Sequence, residues 1–243
     1  MPRLPRATRG GVEGNTSDER PRPPLPVAWA PAQIGVRERV NLYLIRHGQT
    51  ARNRDGLGLG RDDVPLTPLG ELQASALGRR LAAVPLDRVF SSPLGRARQT
   101  AEAVIGARAI PIEIREELTE MDVGECEGLT FSEMQERFPE FLAAWRSESS
   151  AEVAMPGGES IADLAERLNP FLAELRESSA EAVAVVSHNF VLKVTLCRLL
   201  GLDLLRFRGL TVDVASLTTV TLRDGRVYVR ALNDSCHLVP LEP

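Results

Sequence analysis

The chain has 243 residues, of which 43% are hydrophobic and 26% are charged, enough to bury one substantial core. It contains no run of about 18 apolar residues that could span a membrane. Its N-terminus lacks the apolar stretch of a secretory signal, so we expect a cytoplasmic protein with no membrane partner. The net charge of −4 argues against a nucleic-acid partner, because binding to phosphate backbones relies on a cationic surface.

The cysteines and the known metal-binding patterns give no sign of a cofactor. Cys126, Cys197 and Cys236 are far apart and show no C-x-x-C spacing. They indicate neither a disulfide framework nor a thiolate zinc site. The chain also lacks the H-x-H, D-x-D and H-E-x-x-H patterns of metal-dependent hydrolases. We therefore expect no metal and no other cofactor.

The N-terminal segment differs in composition from the rest of the chain. Residues 1–38 contain seven of the 17 prolines, many arginines and no apolar periodicity. Such a segment cannot bury enough surface to offset the entropy cost of ordering it. The sequence therefore predicts a disordered N-terminal tail over residues 1–38 and one folded domain over residues 39–243.

From residue 41 onward, short apolar runs alternate with amphipathic stretches, a pattern that predicts an α/β fold. Asn41–Ile45 is expected to be a strand, and Arg46-His47-Gly48 follows it directly. Thr67 and Pro68 are typical of the N-cap and first residue of a helix. We expect that helix to be amphipathic and to end near Ala83.

The next segment repeats this order of strand and helix. Arg88–Ser91 is predicted to be a second strand, and Ser92-Pro93 has the same cap pattern for a helix that carries Arg96. Ile110–Ile114 is a candidate third strand. Phe131–Trp145 has the pattern of an ordinary amphipathic helix.

The second half of the chain begins with a strong helix signal. Ser160 with Asp163 three residues later approximates a capping box. The helix that starts there should be kinked or interrupted by Pro170. Ala182–Val186 is rich in β-branched residues and is predicted to be a buried strand that ends at Ser187-His188.

The C-terminal part is predicted to contain a helix and a hairpin. Asn189 is a candidate cap for the helix, and Gly201 is a candidate residue for closing it. Ser216–Leu222 and Arg226–Ala231 then flank Asp224-Gly225, which is the strongest short hairpin signal.

Two of the three histidines directly follow predicted buried strands. Ligands bind beyond the carboxyl ends of the strands in open α/β sheets, so His47 and His188 are expected to face one site. Arg46 adjoins the first histidine, and Arg96 lies in a helix that starts just after another strand. Two histidines and two arginines, together with helix N-termini, suit a tetrahedral dianion such as phosphate.

This set of residues also supports a reaction. A neutral imidazole is a competent nucleophile if its other ring nitrogen is held by an acceptor, and attack at phosphorus would give a phosphohistidine. Fixed cations would stabilise the transferring phosphoryl group, and a carboxylic acid with a raised pKa would protonate the leaving group. Candidates for that acid lie in a run whose default interpretation is an exposed charged segment: Glu116, Glu117, Glu120, Asp122, Glu125 and Glu127.

Taken singly, each residue also has a purely structural interpretation. The ordered set of motifs is more specific. Leu44-Ile45-Arg46-His47-Gly48-Gln49-Thr50, with Asn53 three positions on, resembles the signature of the histidine phosphatase superfamily, also called the phosphoglycerate mutase-like family. Further matching stretches follow in the expected order, and they are Pro65-Leu66-Thr67 with Gly70, Gln73 and Ala74; Ser91-Ser92-Pro93-Leu94 with Arg96-Ala97 and Thr100-Ala101; Leu118 with Glu120, Gly124, Glu127 and Gly128; Pro156-Gly157-Gly158-Glu159-Ser160; and Val186-Ser187-His188.

The resemblance covers residues 40 to 240 and implies a three-layer αβα fold with a mostly parallel central sheet. It implies that His47 is the phosphorylated nucleophile and that Glu120 is the proton donor. The phosphate-binding residues that it implies are Arg46, Asn53, Arg96 and His188. His188 also belongs to the implied catalytic residues. Many members of the family have glycines after the second histidine, whereas this chain has Asn189-Phe190, a departure that affects the shape of the pocket.

Mutases of this family return the phosphoryl group to a sugar acid, whereas phosphatases let water take it. The phosphoglycerate mutases carry a longer insertion after the proton-donor segment. Here only 35 residues lie between Glu120 and Pro156, which favours a metal-independent phosphatase. The alternatives are a cofactor-dependent phosphoglycerate mutase and a non-catalytic phospho-ligand binding protein. The last is disfavoured because binding alone would not require the acid.

Two C-terminal stretches, from Phe190 to Lys193 and from Asn233 to His237, resemble the broad-specificity and α-ribazole phosphatases. His237 is either a residue at the rim of the site or a surface histidine. We expect a small phosphomonoester as substrate, with its identity set by the loops Gly56–Val64 and Leu129–Met155. The sequence is compatible with a homodimer and leaves the oligomeric state open.

Overall fold

The computed structural model describes residues 39–147 and 151–241. The tail predicted for residues 1–38 lies outside the described residues. The strands are β1 (Val40–Arg46), β2 (Arg88–Ser91), β3 (Ile112–Ile114), β4 (Ala182–Ser187), β5 (Leu217–Arg223) and β6 (Arg226–Asp234). The α-helices are α1 (Ala51–Arg54), α2 (Pro68–Arg80), α3 (Gly95–Ile105), α4 (Phe131–Arg137), α5 (Pro139–Trp145), α6 (Ile161–Glu177) and α7 (Asn189–Leu200).

The strands form one mixed sheet in the order β3-β2-β4-β1-β5-β6. The first four strands in this order are parallel to their neighbours, whereas β5 pairs antiparallel with β1 and β6. The predicted parallel sheet and the C-terminal hairpin are both confirmed. β1 and β4 lie side by side in a register that pairs Arg46 with Ser187.

Apolar residues cover both faces of the sheet. Leu42 and Leu44 of β1 belong to a core shared with α6 and α7, whereas Ile45 belongs to a second core shared with α2 and α3. All six residues of β4 are buried, as expected for a strand with a helix layer on each side. The predicted three-layer αβα fold is therefore confirmed.

Two predicted helix caps are wrong. The helix after β2 begins at Gly95, so Ser92-Pro93 does not open it, and its cap residue Leu94 forms no side-chain hydrogen bond. The cap of α7 is His188 rather than Asn189. The helix after β2 therefore starts two residues later than predicted, whereas α7 starts one residue earlier.

Other boundaries also differ from the predictions. The segment Phe131–Trp145 forms two helices, because Pro139 disfavours helical geometry at Phe138, where φ is −130° and ψ is 53°. By contrast, Pro170 does not interrupt α6, whose buried face includes the neighbouring Phe171.

The helix α2 ends at Arg80, three residues before the predicted end. Beyond this end, the guanidinium of Arg108 donates to the carbonyl oxygens of Leu81 and Val84. The strand β3 is also two residues shorter than predicted, because it begins at Ile112 rather than Ile110.

Candidate active site

The two strand-end histidines lie next to each other. Because β1 and β4 are adjacent and parallel, both strands deliver the residue that follows them to the same edge of the sheet. The N–H of His47 donates to the carbonyl oxygen of Ser187 at 3.0 Å. The ring centroids of His47 and His188 are 5.0 Å apart, and both side chains are buried.

The hydrogen bonds of His47 define its tautomer. Its Nδ1 lies 2.7 Å from the carbonyl oxygen of Gly48, an acceptor, so Nδ1 carries the proton. Its Nε2 lies 3.3 Å from Nε of Arg96, a donor, so Nε2 presents its lone pair. Burial lowers the pKa of His47 well below its usual range, and the charges of Arg96 and Arg46 lower it further. The imidazole therefore favours its neutral form, in which Nε2 is unprotonated.

The turn after His47 is held by neighbouring helices. The N–H of Gly48 donates to Oγ1 of Thr100 at 3.2 Å, and the N–H of Gln49 donates to Oε1 of Gln73 at 2.9 Å. A Cβ on residue 48 would lie 2.4 Å from the carbonyl oxygen of Gly70. Only glycine therefore fits between the histidine and α2.

Arg96 is fully buried in the first turn of α3. Besides its contact with His47, it donates from Nη1 to the carbonyl oxygen of Asp62 at 2.6 Å and from Nη2 to that of Gly60 at 2.7 Å. Burial lowers its pKa, while Glu120 and other acidic groups act in the opposite direction. These contacts hold the guanidinium beside the free nitrogen of His47.

The segment 58–63 that contacts Arg96 is anchored by Glu127. Its Oε1 accepts from the N–H of Gly60 at 2.9 Å, and its Oε2 accepts from the N–H of Arg61 at 3.0 Å. Nη1 of Arg52 also donates to this carboxylate, at 3.0 Å. Glu127 belongs to one of the sequence motifs that match the family, but the motif alone assigned no role to it. Its role depends on contacts with residues far away in the chain, which no local pattern reveals.

Arg46 lies at the end of β1 and faces another loop. It donates from Nη1 to the carbonyl oxygen of Val212 at 2.7 Å, and its buried Nε has no hydrogen-bond partner among the described residues. Burial lowers its pKa, whereas Glu120 and Asp213 act to raise it. Arg46 therefore has donor capacity left for a ligand.

His188 is positioned by Ser92, a residue that the sequence pattern predicted to be a helix cap. Its Nε2 lies 2.7 Å from Oγ of Ser92, and its buried Nδ1 has no partner within the described part of the chain. The pKa of His188 is well below its usual range because of burial, with further contributions from Arg96, His47 and Arg46.

Glu120 is the buried member of the acidic run, with 3% of its surface exposed. Its Oε1 accepts from the N–H of Met121 at 2.9 Å, and its Oε2 accepts from the N–H of Phe190 at 3.3 Å, two residues after His188. Burial raises its pKa, against the opposing effects of these N–H groups, Arg96 and Arg46. Asp122 is only partly buried and Glu125 is exposed. The default interpretation of an exposed segment is therefore wrong at Glu120.

Two further residues from the sequence analysis have structural contacts. Asn53 closes the capping box of α1, where its Oδ1 accepts from the N–H and the hydroxyl of Thr50 at 3.1 Å and 2.9 Å. This leaves the amide Nδ2 as the free donor. His237 is half-buried, and its Nε2 lies 2.9 Å from the carbonyl oxygen of Ala215, whose own N–H donates to His47.

The fold thus brings together the residues that the sequence analysis selected at strand ends, together with one buried carboxyl group. The described residues contain no cluster of three histidine, cysteine or acidic side chains arranged to hold a metal ion. Within the same residues, no helix is long and apolar enough to cross a membrane.

The fold and this site match a known family. The sequence profile of the histidine phosphatase superfamily (branch 1) matches residues 42–235, which include every strand-end residue described above. The chain therefore belongs to the histidine phosphatase superfamily. It is a phosphatase of this superfamily, whose members act through a phosphohistidine intermediate.

The alignments with individual relatives cover nearly the whole length of each relative. Phosphoserine phosphatase 1 of Hydrogenobacter thermophilus is 34% identical over 200 residues, which are 82% of this chain and 94% of the relative. The adenosylcobalamin/alpha-ribazole phosphatase of Salmonella typhimurium is 32% identical, over 80% of this chain and 96% of the relative. The crystal structure of the alpha-ribazole phosphatase from Shigella flexneri is 32% identical, with a TM-score of 0.74, and the alignment covers 80% of this chain and 96% of that one.

Proposed function

We propose that this phosphatase hydrolyses a small phosphomonoester without a metal ion, with His47 as the nucleophile. The observation that carries the proposal is the state of that imidazole. Its Nδ1 proton is held by the carbonyl oxygen of Gly48, and its Nε2 lone pair lies beside the guanidinium of Arg96. A neutral, oriented imidazole next to a fixed cation is the arrangement that attack on phosphorus requires.

In the first step, Nε2 of His47 forms a bond to phosphorus while the bond from phosphorus to the ester oxygen breaks. Charge spreads over the equatorial oxygens of the phosphoryl group. Arg46, Arg96 and His188 are the proposed ligands for these oxygens, and the free amide of Asn53 is a fourth. The two fixed cations among them, Arg46 and Arg96, supply the stabilisation that a metal ion supplies in other phosphatases.

The leaving alkoxide takes its proton from Glu120. The carboxyl group suits this role because burial raises its pKa, so that the protonated form persists to higher pH than for an exposed glutamate. In the second step, the resulting carboxylate removes a proton from water as the water attacks phosphorus. Phosphate leaves, and both His47 and the protonated carboxyl group of Glu120 are restored.

The named activities of the relatives concern different molecules, phosphoserine and α-ribazole phosphate, that share a phosphomonoester on a small metabolite. A substrate of this size is part of the proposal. A cytoplasmic location, the absence of a nucleic-acid partner and a homodimer remain predictions from the sequence.

The test is release of inorganic phosphate from a panel of phosphomonoesters in the presence of a chelator, with wild type compared to His47→Ala. We expect release that resists the chelator and is lost in the variant, which must keep the wild-type circular dichroism spectrum. Loss of activity in the chelator that added metal restores would refute the metal-independent mechanism. Substantial turnover by folded His47→Ala would refute the proposed nucleophile. Interconversion of phosphoglycerates without phosphate release would instead indicate a mutase.

A further inference from the structure

The chain contains a single lysine. Of its 29 cationic side chains, all but Lys193 are arginines. Lys193 lies in α7, one turn after Asn189, in the helix whose cap is His188. Its side chain is half-buried, as are those of Asn189 and Phe190, whereas the residues on either side of it, Leu192 and Val194, are fully buried. It therefore belongs to the partly open face of α7 at the active site.

The ammonium group of Lys193 has no partner among the residues that the structure describes. It forms no hydrogen bond or ion pair with any residue in the described ranges. Nearby acidic groups are already engaged: both oxygens of Glu120 accept from backbone N–H groups. Asp213 is bound to Asn233, whose Nδ2 donates to Oδ2 of Asp213 at 2.7 Å.

Lys193 nevertheless lies within electrostatic range of the proposed phosphate ligands. Burial and the charge of Arg46 lower its pKa, whereas Glu120 and Asp213 act to raise it. Arg46 itself reaches the loop of Asp213, since it donates to the carbonyl oxygen of Val212 at 2.7 Å. Lys193, half-buried near Arg46 and without a partner in the described part of the chain, is placed to meet a second anionic group of the substrate.

We infer that Lys193 binds a carboxylate of the substrate, and that the preferred substrates are phosphomonoesters with a carboxylate close to the ester oxygen. This inference rests on the proposed function. A carboxylate fits better than a second phosphate because Lys193 offers one compact positive charge. The negative charge of Asp213 would also repel a dianion more than a monoanion.

The first test compares two substrates that differ only in the carboxylate, O-phosphoserine and O-phosphoethanolamine. We expect wild type to prefer O-phosphoserine in kcat/KM. In Lys193→Met we expect kcat/KM for O-phosphoserine to fall about 10- to 100-fold, the range for one charge-assisted hydrogen bond, and that for O-phosphoethanolamine to change by less than about threefold. Lys193→Arg, which keeps the charge, should recover part of the preference.

Arg206→Met is the matched control. Arg206 is exposed and lies in the 3-10 helix that follows α7, so this variant removes one positive charge from the surface. We expect it to keep the wild-type preference. An equal loss on both substrates in Lys193→Met, or the same loss in Arg206→Met, would overturn the inference.

The single lysine also permits a binding measurement that needs no turnover. Reductive methylation with ¹³C-formaldehyde labels Lys193 and the N-terminal amine while keeping the charge. The signal that is absent from Lys193→Met belongs to the lysine. In the His47→Ala background we expect O-phosphoserine to shift this signal and O-phosphoethanolamine to leave it in place. No shift with O-phosphoserine at concentrations that saturate binding would overturn the inference.

The two proposals fail in different ways. If wild type releases phosphate from neither substrate nor from any other phosphomonoester of the panel, the proposed function fails. If it hydrolyses both substrates and Lys193→Met does not discriminate between them, the phosphatase mechanism stands and the carboxylate subsite is refuted.

Discussion

The Nε atom of Arg96 lies 3.3 Å from Nε2 of His47, and this contact joins the proposed phosphate ligand to the proposed attacking atom. A phosphoryl group bonded to Nε2 would place its oxygens next to the same guanidinium. Once phosphorus replaces this hydrogen bond at Nε2, the guanidinium lies next to the charge that develops in the transition state. Burial lowers the pKa of the His47 imidazole most, and the positive charge of Arg96 lowers it further, so that both favour the neutral form.

Replacement of Glu120 by glutamine should separate substrates by their leaving groups. Glutamine keeps the size of the side chain but has no proton to give. We expect kcat/KM, which reports the first step, to fall about 100-fold or more for alkyl phosphates and less than about 10-fold for p-nitrophenyl phosphate, since only an alkoxide needs the proton. Asp122→Asn is the control, because Asp122 lies two residues away and is partly exposed. Equal losses on both substrates in Glu120→Gln would remove Glu120 as the proton donor.

The dependence of kcat/KM on pH should follow the two buried groups. His47 must be neutral, and its lowered pKa places the acidic limb below the ordinary value of 6.5. Glu120 must be protonated, and its raised pKa places the alkaline limb above the ordinary value of 4.5. We expect a bell-shaped profile for alkyl phosphates, and no alkaline limb from Glu120 when p-nitrophenyl phosphate is the substrate. An acidic limb above pH 6.5 would contradict the lowered pKa of His47.

Glu127 should affect catalysis through the position of Arg96. Glu127→Gln weakens the bonds to the N–H groups of Gly60 and Arg61, and with them the loop whose carbonyl oxygens hold the guanidinium. We expect kcat/KM to fall about 10-fold, consistent with about 1.5 kcal/mol for a hydrogen bond to a charged group. The apparent pKa values of the acidic and alkaline limbs of the kcat/KM profile should not change. Glu125→Gln, at an exposed neighbouring position, should match wild type. A shifted acidic limb would instead point to a direct effect on His47.

Gly48→Ala should destabilise the fold. The added methyl group would lie 2.4 Å from the carbonyl oxygen of Gly70, which belongs to a helix backbone that cannot easily move. We expect the free energy of unfolding in urea to fall by about 1–3 kcal/mol, the usual cost of overpacking. Gly209→Ala is the control, because nothing lies within 4 Å of its added Cβ and its φ is not positive. Equal stability of the two variants would show that the contact relaxes at little cost.

The strands and their ends were predictable from the sequence because short apolar runs of β-branched residues report burial on both faces. Arg46, His47 and His188 follow directly from those strand ends, and Arg96 follows from the helix after β2. The residue contacts that cross the fold were not predictable. Glu120 differs from Asp122 and Glu125 in burial, and nothing in the local pattern of that acidic run carries this difference.

The helix caps show the same limit. Thr67-Pro68 and Ser92-Pro93 have the same local pattern, yet only the first opens a helix. The hydroxyl of Ser92 is instead bonded to His188, a residue 96 positions away. The competition between a local cap and a tertiary hydrogen bond is decided by the folded structure, so a rule based on neighbouring residues cannot anticipate it.

Because β1 pairs directly with β4, the site exists only when two distant parts of the chain have met. Pairings between distant segments form late, since the entropy of closing the intervening loop is lost before their contacts stabilise the structure. An intermediate with α2 and α3 already packed would still hold His47 and His188 apart. Enzymatic activity should therefore return during refolding no earlier than the central strand pairing, and it would serve as a reporter of the completed sheet.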